Sequence, residues 1–235
     1  MCGRYVVFTE EENAEIQEIL EGINQRYKAE ASRMKTGEIF PTDTAPVIIG
    51  SFGSPDTSGS SDCAVSTVST VSSCASDRSG TAKNLQLFKW GFPNYMKAGS
   101  VIINARCETL QEKPTFRKLL AAGRCLIPAS GFYEWKSATG STRQKDKYLI
   151  RSAGSGLIYF AGLYGSFADK SSIPSTRFVI ITTDANGQMS EIHHRMPVIL
   201  EKDQALAWIG HTYSGSSLEG LLKPYEKELT LQRMG

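Results

Sequence analysis

The features that most constrain the fold are four short segments between residues 124 and 186 that are rich in β-branched and aromatic side chains. They read "RCLIPASGFYEWK", "KYLIRS", "GLIYFAGLYG" and "TRFVIITTDAN". Runs of this kind are typical of β-strands, and "KELTLQRM" predicts a further, closing strand. With a few helical segments beside them, they predict an α+β protein that has a mostly antiparallel, barrel-like β core and peripheral helices.

Helical periodicity marks several segments around these strands. "TEEENAEIQEILEGINQRY" begins with Thr9 and Glu12 at capping-box spacing and predicts a helix over about residues 10–27. Its apolar residues at helical spacing are Ile16, Ile19, Leu20, Ile23 and Tyr27. "KPTFRKLLAAG" predicts a short helix with Gly123 at its C-cap, and "DQALAWI" and "SSLEGLLKPY" predict two more.

The segment over residues 51–80 has a different composition. It contains 11 serines and no Leu, Ile, Trp or Tyr, which is too little apolar surface to order it strongly. The strand-like segments on its two sides, "APVIIG" and "LQLFKWGF", are predicted to belong to one sheet. We therefore expect a flexible Ser-rich insertion between two paired strands, inside one domain that spans residues 1–235.

Charge and cysteine usage exclude several classes of protein. The formal net charge is only +2, so any contact with nucleic acid would need a local cluster of basic residues. No apolar run reaches the length of about 18 residues that a membrane helix needs, and no signal-peptide pattern is present. The five cysteines form no C-x-x-C pair and only three histidines accompany them. We expect a reduced, cytoplasmic protein with no metal and no organic cofactor.

Candidate catalytic side chains stand at the ends of apolar segments. Removal of the start methionine would leave Cys2 with two nucleophiles, its thiol and its α-amine. "IINARCET" places Asn104, Arg106 and Glu108 directly after an apolar strand. "GFYEW" places Glu134 in an apolar setting that suits acid–base chemistry, although pairing with an arginine across the sheet would also explain it.

The segment "SEIHHRMPVIL" puts His193, His194 and Arg195 before an apolar run. In extended backbone the two imidazoles would point to opposite faces, so at most one is expected to face a site. Together with Arg4 and Arg106, Arg195 predicts the local basic cluster that the net charge does not show.

Two tryptophans have two interpretations each. Trp90 in "FKWGF" and Trp135 in "FYEW" suit a hydrophobic core. They also suit platforms for unpaired bases, where stacking on an aromatic face contributes about 1–3 kcal/mol per base. The sequence alone leaves both interpretations open.

Motifs distributed through nearly the whole chain resemble the SOS response-associated peptidase (SRAP) family. They are, in order, "MCGR", "FPTDTAPV", "WGFP", "INARCET" with "EKPTFRKLL", "RCLIPASGFYEW", "FAGLYG", "ITTDAN" and "IHHRMPVIL". An initial MCGR followed by NAR-x-E, GFYEW and IH-x-RMP is a highly specific combination. The Ser-rich insertion is longer than the family pattern needs, and "WGFP" departs conservatively from the usual WGL-x-P.

The resemblance implies a protein that binds single-stranded DNA and links itself covalently to abasic sites. By position, Cys2 would be the nucleophile, Asn104 and Glu134 would line the site, and His193 would be the catalytic histidine. The residues expected along the DNA path are Arg4, Trp90, Arg106, Trp135, Thr182 and Arg195. A monomer without membrane contact is expected, located in the cytoplasm and associated with the nucleoid during DNA damage.

The implied chemistry explains why a cysteine stands at position 2. An amine converts the aldehyde of an opened abasic sugar to an imine, and a thiol on the same residue then closes a five-membered thiazolidine. Met1 must first be removed, since the nitrogen of Cys2 is otherwise an amide. Two alternatives remain, a thiol (auto)peptidase that uses Cys2 and His193, and a non-catalytic reader of damaged single-stranded DNA. A purely structural role for Cys2 would explain none of the accompanying polar motifs.

Overall fold

We describe the protein from a computed structural model. The residues described are 2–7, 14–50, 84–137, 145–154, 156–168, 174–210, 218 and 220–235. The predicted capping box of Thr9 and Glu12, the Ser-rich insertion, Cys63 and Cys74 lie outside them.

The described residues form fifteen strands, four α-helices and two short 3₁₀ helices. The strands are β1 (Tyr5–Val7), β2 (Gly37–Ile39), β3 (Thr44–Ile49), β4 (Asn84–Trp90), β5 (Phe92–Pro93), β6 (Val101–Ile102), β7 (Asn104–Arg106), β8 (Arg124–Ala129), β9 (Gly131–Ser137), β10 (Lys145–Ser152), β11 (Ile158–Ala168), β12 (Pro174–Asp184), β13 (Arg195–Pro197), β14 (Ile199–Leu200) and β15 (Leu229–Arg233). The helices are α1 (Ala14–Arg26), α2 (Pro114–Ala122), α3 (Gly187–Ser190) and α4 (Lys202–Ile209), with 3₁₀ turns at Ala31–Arg33 and Cys107–Thr109.

Five strands close a barrel in the order β12, β4, β3, β8, β11 and back to β12. All of these pairings are antiparallel except that of β12 with β4. Strands β7, β13 and β14 extend the same sheet at its margins, with β7 parallel to β12. The predicted α+β class with a mostly antiparallel, barrel-like core is therefore confirmed. The pairing of β3 with β4 also confirms that the strands flanking the Ser-rich insertion belong to one sheet.

A second sheet lies beside the barrel, with strand order β15, β10, β9, β1, β2. The sequence predicts a single strand over "RCLIPASGFYEWK", but the chain leaves the barrel after β8 and enters the second sheet as β9. Ser130 lies at the break, and its N–H donates to the carbonyl of Val6 at 2.8 Å. This break carries the GFYEW motif away from the barrel wall and beside the N-terminal strand.

The N-terminal strand is attached to the barrel by its first aromatic residue. The ring of Tyr5 meets Trp90 and Phe160 edge to face, with centroids 5.2 and 6.0 Å apart. Trp90 in turn stacks on Phe178 at 6.3 Å. Edge-to-face and offset pairs of this kind add specific geometry to the burial of apolar surface, so they fix the start of the chain against the core.

The helices cover the outside of the barrel largely as predicted. The predicted inward face of α1 is buried at Ile16, Ile19, Leu20 and Ile23, and α1 lies against β3 and β4. The helices expected in "KPTFRKLLAAG" and "DQALAWI" are confirmed as α2 and α4. The described helices include none long and apolar enough to cross a bilayer.

The helix predicted in "SSLEGLLKPY" is confirmed at Leu218, which is helical, but it does not continue through Gly220. From Gly220 onward, the segment "SSLEGLLKPY" consists of turns and irregular backbone. Gly220 is a poor helix former, and the missing N–H and ring of Pro224 oppose a helix that reaches it. Two apolar residues of the segment, Leu218 and Tyr225, are buried.

Candidate active site

Strand pairing brings the candidate residues of the N-terminus and of β9 close together. Cys2 precedes β1, which pairs antiparallel with β9. Along β9, Glu134 lies on the same face as Phe132, whose ring meets Phe160 in the barrel core. Cys2 is fully buried, Glu134 is only 3 % exposed, and the Cys2 thiol donates a weak hydrogen bond to the carbonyl of Arg4 at 3.8 Å.

Asn104 brings a third group to Cys2. It begins β7, which is positioned by parallel pairing with β12, Asn104 standing opposite Ile180. Its Nδ2 donates to the carbonyl oxygen of Cys2 at 2.9 Å. Its Oδ1 is buried and has no hydrogen-bond partner among the described residues, so an acceptor lies next to the backbone of Cys2.

His193 lies in the turn between α3 and β13, where its N–H donates to the carbonyl of Met189 at 2.8 Å. The backbone N–H of Arg195 donates to Nδ1 of His193 at 3.0 Å, and the carbonyl of Arg195 is 3.2 Å from the same nitrogen. A neutral imidazole whose Nδ1 accepts this hydrogen bond carries its proton on Nε2.

The expectation that the two histidines face opposite sides is wrong. The rings of His193 and His194 stack with centroids 4.4 Å apart and planes at 23°. The expectation assumed extended backbone, whereas this segment turns sharply after α3. His194 therefore covers one face of the candidate catalytic imidazole.

Electrostatics connect Cys2, Glu134 and His193. Burial raises the pKa of the Cys2 thiol well above its ordinary value, and the negative charge of Glu134 raises it further. Burial lowers the pKa of His193, while the charge of Glu134 opposes that shift. At neutral pH the thiol is protonated and the imidazole is largely neutral, and both groups lie within the field of one carboxylate.

Arg195, which is predicted to lie along the DNA path, is almost completely enclosed by its own chain. It is 5 % exposed, and its guanidinium is surrounded by acceptors of its own chain. Glu108 binds it through two bonds, at 2.7 Å to Nη1 and 3.0 Å to Nη2, and Asp184 accepts from Nη1 at 2.6 Å. The carbonyl of Thr182 accepts from Nη2 at 2.8 Å. A phosphate could reach this arginine only by displacing these partners.

Trp90 and Thr182, which are also predicted to lie along the DNA path, are buried. Trp90 is fully buried, its Nε1 donates to the carbonyl of Ile103 at 3.0 Å, and its ring is covered by Phe178 and Tyr5. Thr182 is fully buried as well. Neither side chain presents a surface to a nucleotide, because each fills space in or beside the barrel.

Three predicted DNA-path residues do reach the surface. The guanidinium of Arg4 lies 4.2 Å from the ring centre of Phe40 and 5.0 Å from that of Trp135, which are cation–π distances. Glu38 pairs with Arg4 at 3.1 Å. Arg106 is exposed and makes no ion pair or hydrogen bond within the part of the chain that is described.

Sequence reasoning named Glu108 without a role and missed three further contributors to this region, Asp184, Phe40 and Glu38. Glu108 and Asp184 hold Arg195, and Phe40 and Glu38 hold Arg4. Glu108 was visible as a polar residue in "INARCET", but 87 positions separate it from its partner. Nothing in the sequence apart from its place in "FPTDTAPV" indicated a role for Phe40. It is one of the few large exposed hydrophobic side chains among the described residues.

The thiols and acids that are described form no grouping suited to a metal ion. Cys2, Cys107 and Cys125 are free cysteines. The predicted catalytic residues place an amide, a carboxylate and an imidazole alongside Cys2 in this region.

Comparison with known proteins gives consistent results. A family described as "SOS response associated peptidase (SRAP)" matches residues 1–234. The abasic site processing protein YoqW of Bacillus subtilis is 32% identical over 234 residues, which cover 97% of this chain and 89% of YoqW. YoaM of the same organism, also named an abasic site processing protein, is 40% identical over 154 residues, 63% of this chain and 67% of YoaM. The abasic site processing protein HMCES of Gallus gallus is 29% identical over 154 residues, 55% of this chain and 46% of HMCES.

Solved structures share the fold. A crystal structure of a protein from Bacteroides thetaiotaomicron superposes with a TM-score of 0.71 at 21% identity, covering 100% of this chain and 92% of that one. A protein from Bordetella bronchiseptica superposes with a TM-score of 0.68 at 17% identity over the full length of both chains.

Proposed function

The chain belongs to the SOS response-associated peptidase family, and on that premise we propose that it processes abasic sites in single-stranded DNA by covalent attachment through Cys2. The relatives YoqW, YoaM and HMCES are all named abasic site processing proteins, which supports this class of substrate. The covalent step requires that Met1 has been removed, so that Cys2 carries a free α-amine.

The observation that carries the proposal is the contact between Asn104 and the backbone of Cys2. A cysteine used only for its thiol has no need of a side-chain amide bound to its own carbonyl at 2.9 Å. An α-amine that must approach an aldehyde from a defined direction does need its residue to be held. The buried Oδ1 of Asn104 would accept a hydrogen bond from that amine.

The reaction proceeds through two bond-forming steps at one carbon. The α-amine attacks the aldehyde carbon of the ring-opened sugar, and the resulting carbinolamine loses water to give an imine. The thiol then adds to the imine carbon, its proton passes to the nitrogen, and a thiazolidine is formed without any oxidant. With an ordinary pKa of about 7.7–8.0, an α-amine is partly unprotonated at neutral pH, unlike a lysine.

The two titratable neighbours have natural roles in these steps. His193, with its proton on Nε2, would donate to the ring oxygen of the sugar and favour the open aldehyde. Glu134 would accept a proton as the amine attacks and return one as water leaves. Its charge acts on both Cys2 and His193, as that exchange requires.

A thiol peptidase is the less favoured function. It would need a thiolate as the attacking group, whereas burial and the charge of Glu134 raise the pKa of the Cys2 thiol. The thiazolidine route begins with the amine and uses the thiol only after an imine has formed beside it. The same shift in pKa therefore opposes the peptidase and is compatible with the crosslink.

We assign the DNA path to the predicted residues that reach the surface. Arg4 and Arg106 would contact phosphates on the two sides of the lesion, and Trp135 would stack on a base. Binding would be independent of sequence and sensitive to salt. The expected partner remains single-stranded DNA that contains abasic sites, bound by a monomer in the cytoplasm.

A denaturing gel tests the proposal directly. Processed protein is mixed with a single-stranded oligonucleotide that carries one abasic site, beside a Met1-retaining sample and the variants Cys2→Ala and Cys2→Ser. We expect a heat-stable shifted band only with processed wild type. The two variants, which keep the amine and lack the thiol, should give a band only after borohydride reduction of the imine. No shifted band with verified free Cys2 would refute the crosslink, and cleavage of peptides under the same conditions would favour the peptidase.

A further inference from the structure

We propose that Lys147 is a further phosphate contact on the path of single-stranded DNA, and that the carboxylate of Glu38 occupies the place between Lys147 and Arg4 that a DNA phosphate takes in the complex. The inference rests on the proposed function, because it adds a second cation to the DNA path assigned to Arg4. It makes Glu38 a competitor that a bound strand must displace.

The pairing of the second sheet brings these three side chains to one face. Lys147 on β10 stands opposite Trp135 on β9, and Glu38 on β2 stands opposite Val6 on β1. Val6 and Trp135 belong to the same hydrophobic cluster, so both pairs lie on one face of the sheet. Arg4 precedes Val6 by two residues, and in extended backbone its side chain points to that face as well. Strand pairing therefore places two cations and one anion side by side.

Glu38 joins the two cations through separate oxygens. Its Oε2 accepts from Nη1 of Arg4 at 3.1 Å, and its Oε1 accepts from Nζ of Lys147 at 2.6 Å. The hydrogen bond from Lys147 and the charges of both cations lower the pKa of Glu38, so its carboxylate is ionised at neutral pH. One negative charge thus lies between two positive ones, and the group as a whole stays positive.

Aromatic rings hold both cations in place independently of Glu38. The guanidinium of Arg4 lies 4.2 Å from the ring centre of Phe40 and 5.0 Å from that of Trp135. Nζ of Lys147 lies 3.9 Å from the ring centre of Tyr133. These are cation–π distances, so the two charges stay near each other when the carboxylate leaves. The pair is therefore already arranged for another anion whose oxygens reach both cations.

The position of Glu38 is open to an incoming strand. The side chains of Arg4, Lys147 and Glu38 are 28 %, 26 % and 33 % exposed. Ion pairs with this degree of exposure contribute little net free energy, because water screens them and holding long side chains costs entropy. A DNA phosphate that replaces the carboxylate also releases condensed counterions, which favours the exchange.

Trp135 makes DNA the anion to expect at this place. Its ring faces Arg4, and it is the residue assigned above to stack on a base. A nucleotide on that ring brings its phosphate toward Arg4 and toward Lys147, which stands opposite Trp135 in the β9–β10 ladder. A free phosphate ion has neither a base to stack nor condensed counterions to release. Competition by Glu38 therefore favours a strand over small anions.

The first test measures binding of an undamaged, fluorescently labelled single-stranded oligonucleotide by anisotropy over a series of salt concentrations. The matched control is Lys227→Gln, since Lys227 also pairs with one carboxylate, that of Glu201 at 2.9 Å, but beside the N-terminal end of α4. Lys147→Gln should lower the slope of log affinity against log salt by about 0.7, the value for one phosphate contact on a single strand. Lys147→Arg and Lys227→Gln should keep the wild-type slope.

A second variant, Glu38→Gln, tests the competition. The amide keeps a hydrogen-bond acceptor and removes the charge, so the cations of the free protein are held less tightly. Affinity for the oligonucleotide should rise about fivefold, since two partly exposed ion pairs no longer oppose binding. Inorganic phosphate, added at constant ionic strength, should compete with the oligonucleotide more strongly in this variant than in wild type.

Three outcomes would overturn the inference. The first is an unchanged salt slope in Lys147→Gln whose circular dichroism matches that of wild type. The second is an equal loss of slope in Lys227→Gln. The third is an unchanged or lower affinity in Glu38→Gln, which would mean that the carboxylate positions the cations for DNA instead of competing with it. Glu38→Gln also decides the matter if Lys147→Gln does not fold.

These measurements are independent of the covalent step. Wild-type protein that binds the undamaged strand but forms no crosslink with an abasic one would refute the proposed crosslink, while the salt slopes and the affinity of Glu38→Gln would still decide the role of Lys147. Wild-type protein that crosslinks an abasic strand, with a Lys147→Gln slope equal to its own, would refute this inference alone.

Discussion

Two buried arginines in this molecule differ in the kind of group that they bind. Arg124 and Arg195 are 7 % and 5 % exposed, yet among the described residues the hydrogen bonds of Arg124 go to backbone carbonyls, whereas Arg195 binds two carboxylates. Burial lowers the pKa of Arg124. Burial also acts to lower the pKa of Arg195, but hydrogen bonds to Glu108 and Asp184 outweigh it and leave that pKa raised.

This difference in partners indicates a different structural role for each guanidinium. Arg124 donates to Leu120 at the end of α2, and to Trp208 and Gly210 at the end of α4, at 2.6–2.8 Å. Carbonyls at a helix C-terminus have no intrahelical partners and carry partial negative charge, so one guanidinium satisfies two helix ends. The partners of Arg195 are instead the side chains of Glu108, in the 3₁₀ turn after β7, and Asp184, at the end of β12.

The largest effect is expected when Arg124 is replaced. Arg124→Met fills similar volume but leaves buried carbonyls at both helix ends without a donor, and should lower the free energy of unfolding by about 4 kcal/mol. Urea unfolding followed by circular dichroism measures this. The crosslinking rate of the fraction that stays folded should equal that of wild type, and a selective loss of rate would break the distinction between the two arginines.

At the candidate site, the largest effect on the crosslinking rate is expected when His193 is replaced. His193→Gln should lower the crosslinking rate about 100-fold at saturating DNA, because the proton donor to the sugar is lost. Its stability should change by no more than about 0.5 kcal/mol, since the side chain is at the edge of the core. Single-turnover rates and urea unfolding provide the two numbers. A stability loss as large as that of Arg124→Met would place His193 in the framework instead.

The next expected effect is a pH dependence of stability. It should be seen for a carboxylate partner of Arg195 and not for the carbonyl partners of Arg124. Hydrogen bonding to Arg195 holds the pKa of Glu108 at about 2, against an ordinary value of 4.5. Since the folded-state pKa is the lower one, the stabilisation is fully present above about pH 4.5 and is lost as pH falls toward 2. Asp184, which shares the guanidinium, and Cys107, which contacts Glu108, face the same group.

The measurement is the free energy of unfolding of wild type minus that of Glu108→Gln between pH 5 and pH 2. The difference should shrink by about 1 kcal/mol or less, because the Glu108 side chain is largely solvated. Other carboxylates cancel in this subtraction. The contacts of Arg124 with the described residues include no carboxylate and should show no such dependence. An equal change in Arg124→Lys over that range would therefore contradict the comparison.

Parts of the fold and of the candidate site could be predicted from the sequence where the residues that determine them lie close together in the chain. The helical face of α1 and the strand pairing around the Ser-rich insertion follow from local periodicity, and they were predicted. Cys2, Asn104, Glu134 and His193 were identified as candidates from motifs, and the structure brings Asn104 and Glu134 to Cys2.

Burial and distant partners could not be predicted from the sequence. Trp90 and Arg195 are both buried in this structure, because segments distant in the chain enclose them. Arg195 finds Glu108 across 87 positions, and no local pattern records that contact. The stacking of His193 on His194 likewise depends on a turn that an extended-strand assumption could not supply.

The smallest expected effect tests whether the two ends of α4 act independently. Arg124 holds its C-terminal end, while Glu201 and Gln204 form a capping box at its N-terminal end, with Gln204 accepting from the N–H of Glu201 at 3.0 Å. Gln204→Ala removes that one exposed-edge bond and should cost about 0.7 kcal/mol. Glu201 itself is unsuitable, because it also binds Tyr225 and Lys227.

Combining Gln204→Ala with Arg124→Met then provides the decisive comparison. If Arg124 acts only on the carbonyl end, the two costs should add within about 0.5 kcal/mol, because the sites share no partner. Urea unfolding of the two single variants and the double variant measures the sum. A double variant markedly more stable than that sum would mean that α4 has already frayed from the barrel once Arg124 is lost, so its N-terminal cap no longer contributes. In that case Arg124 would be the residue that docks α4 as a whole, and its contrast with Arg195, which pairs with two carboxylates, would be sharper still.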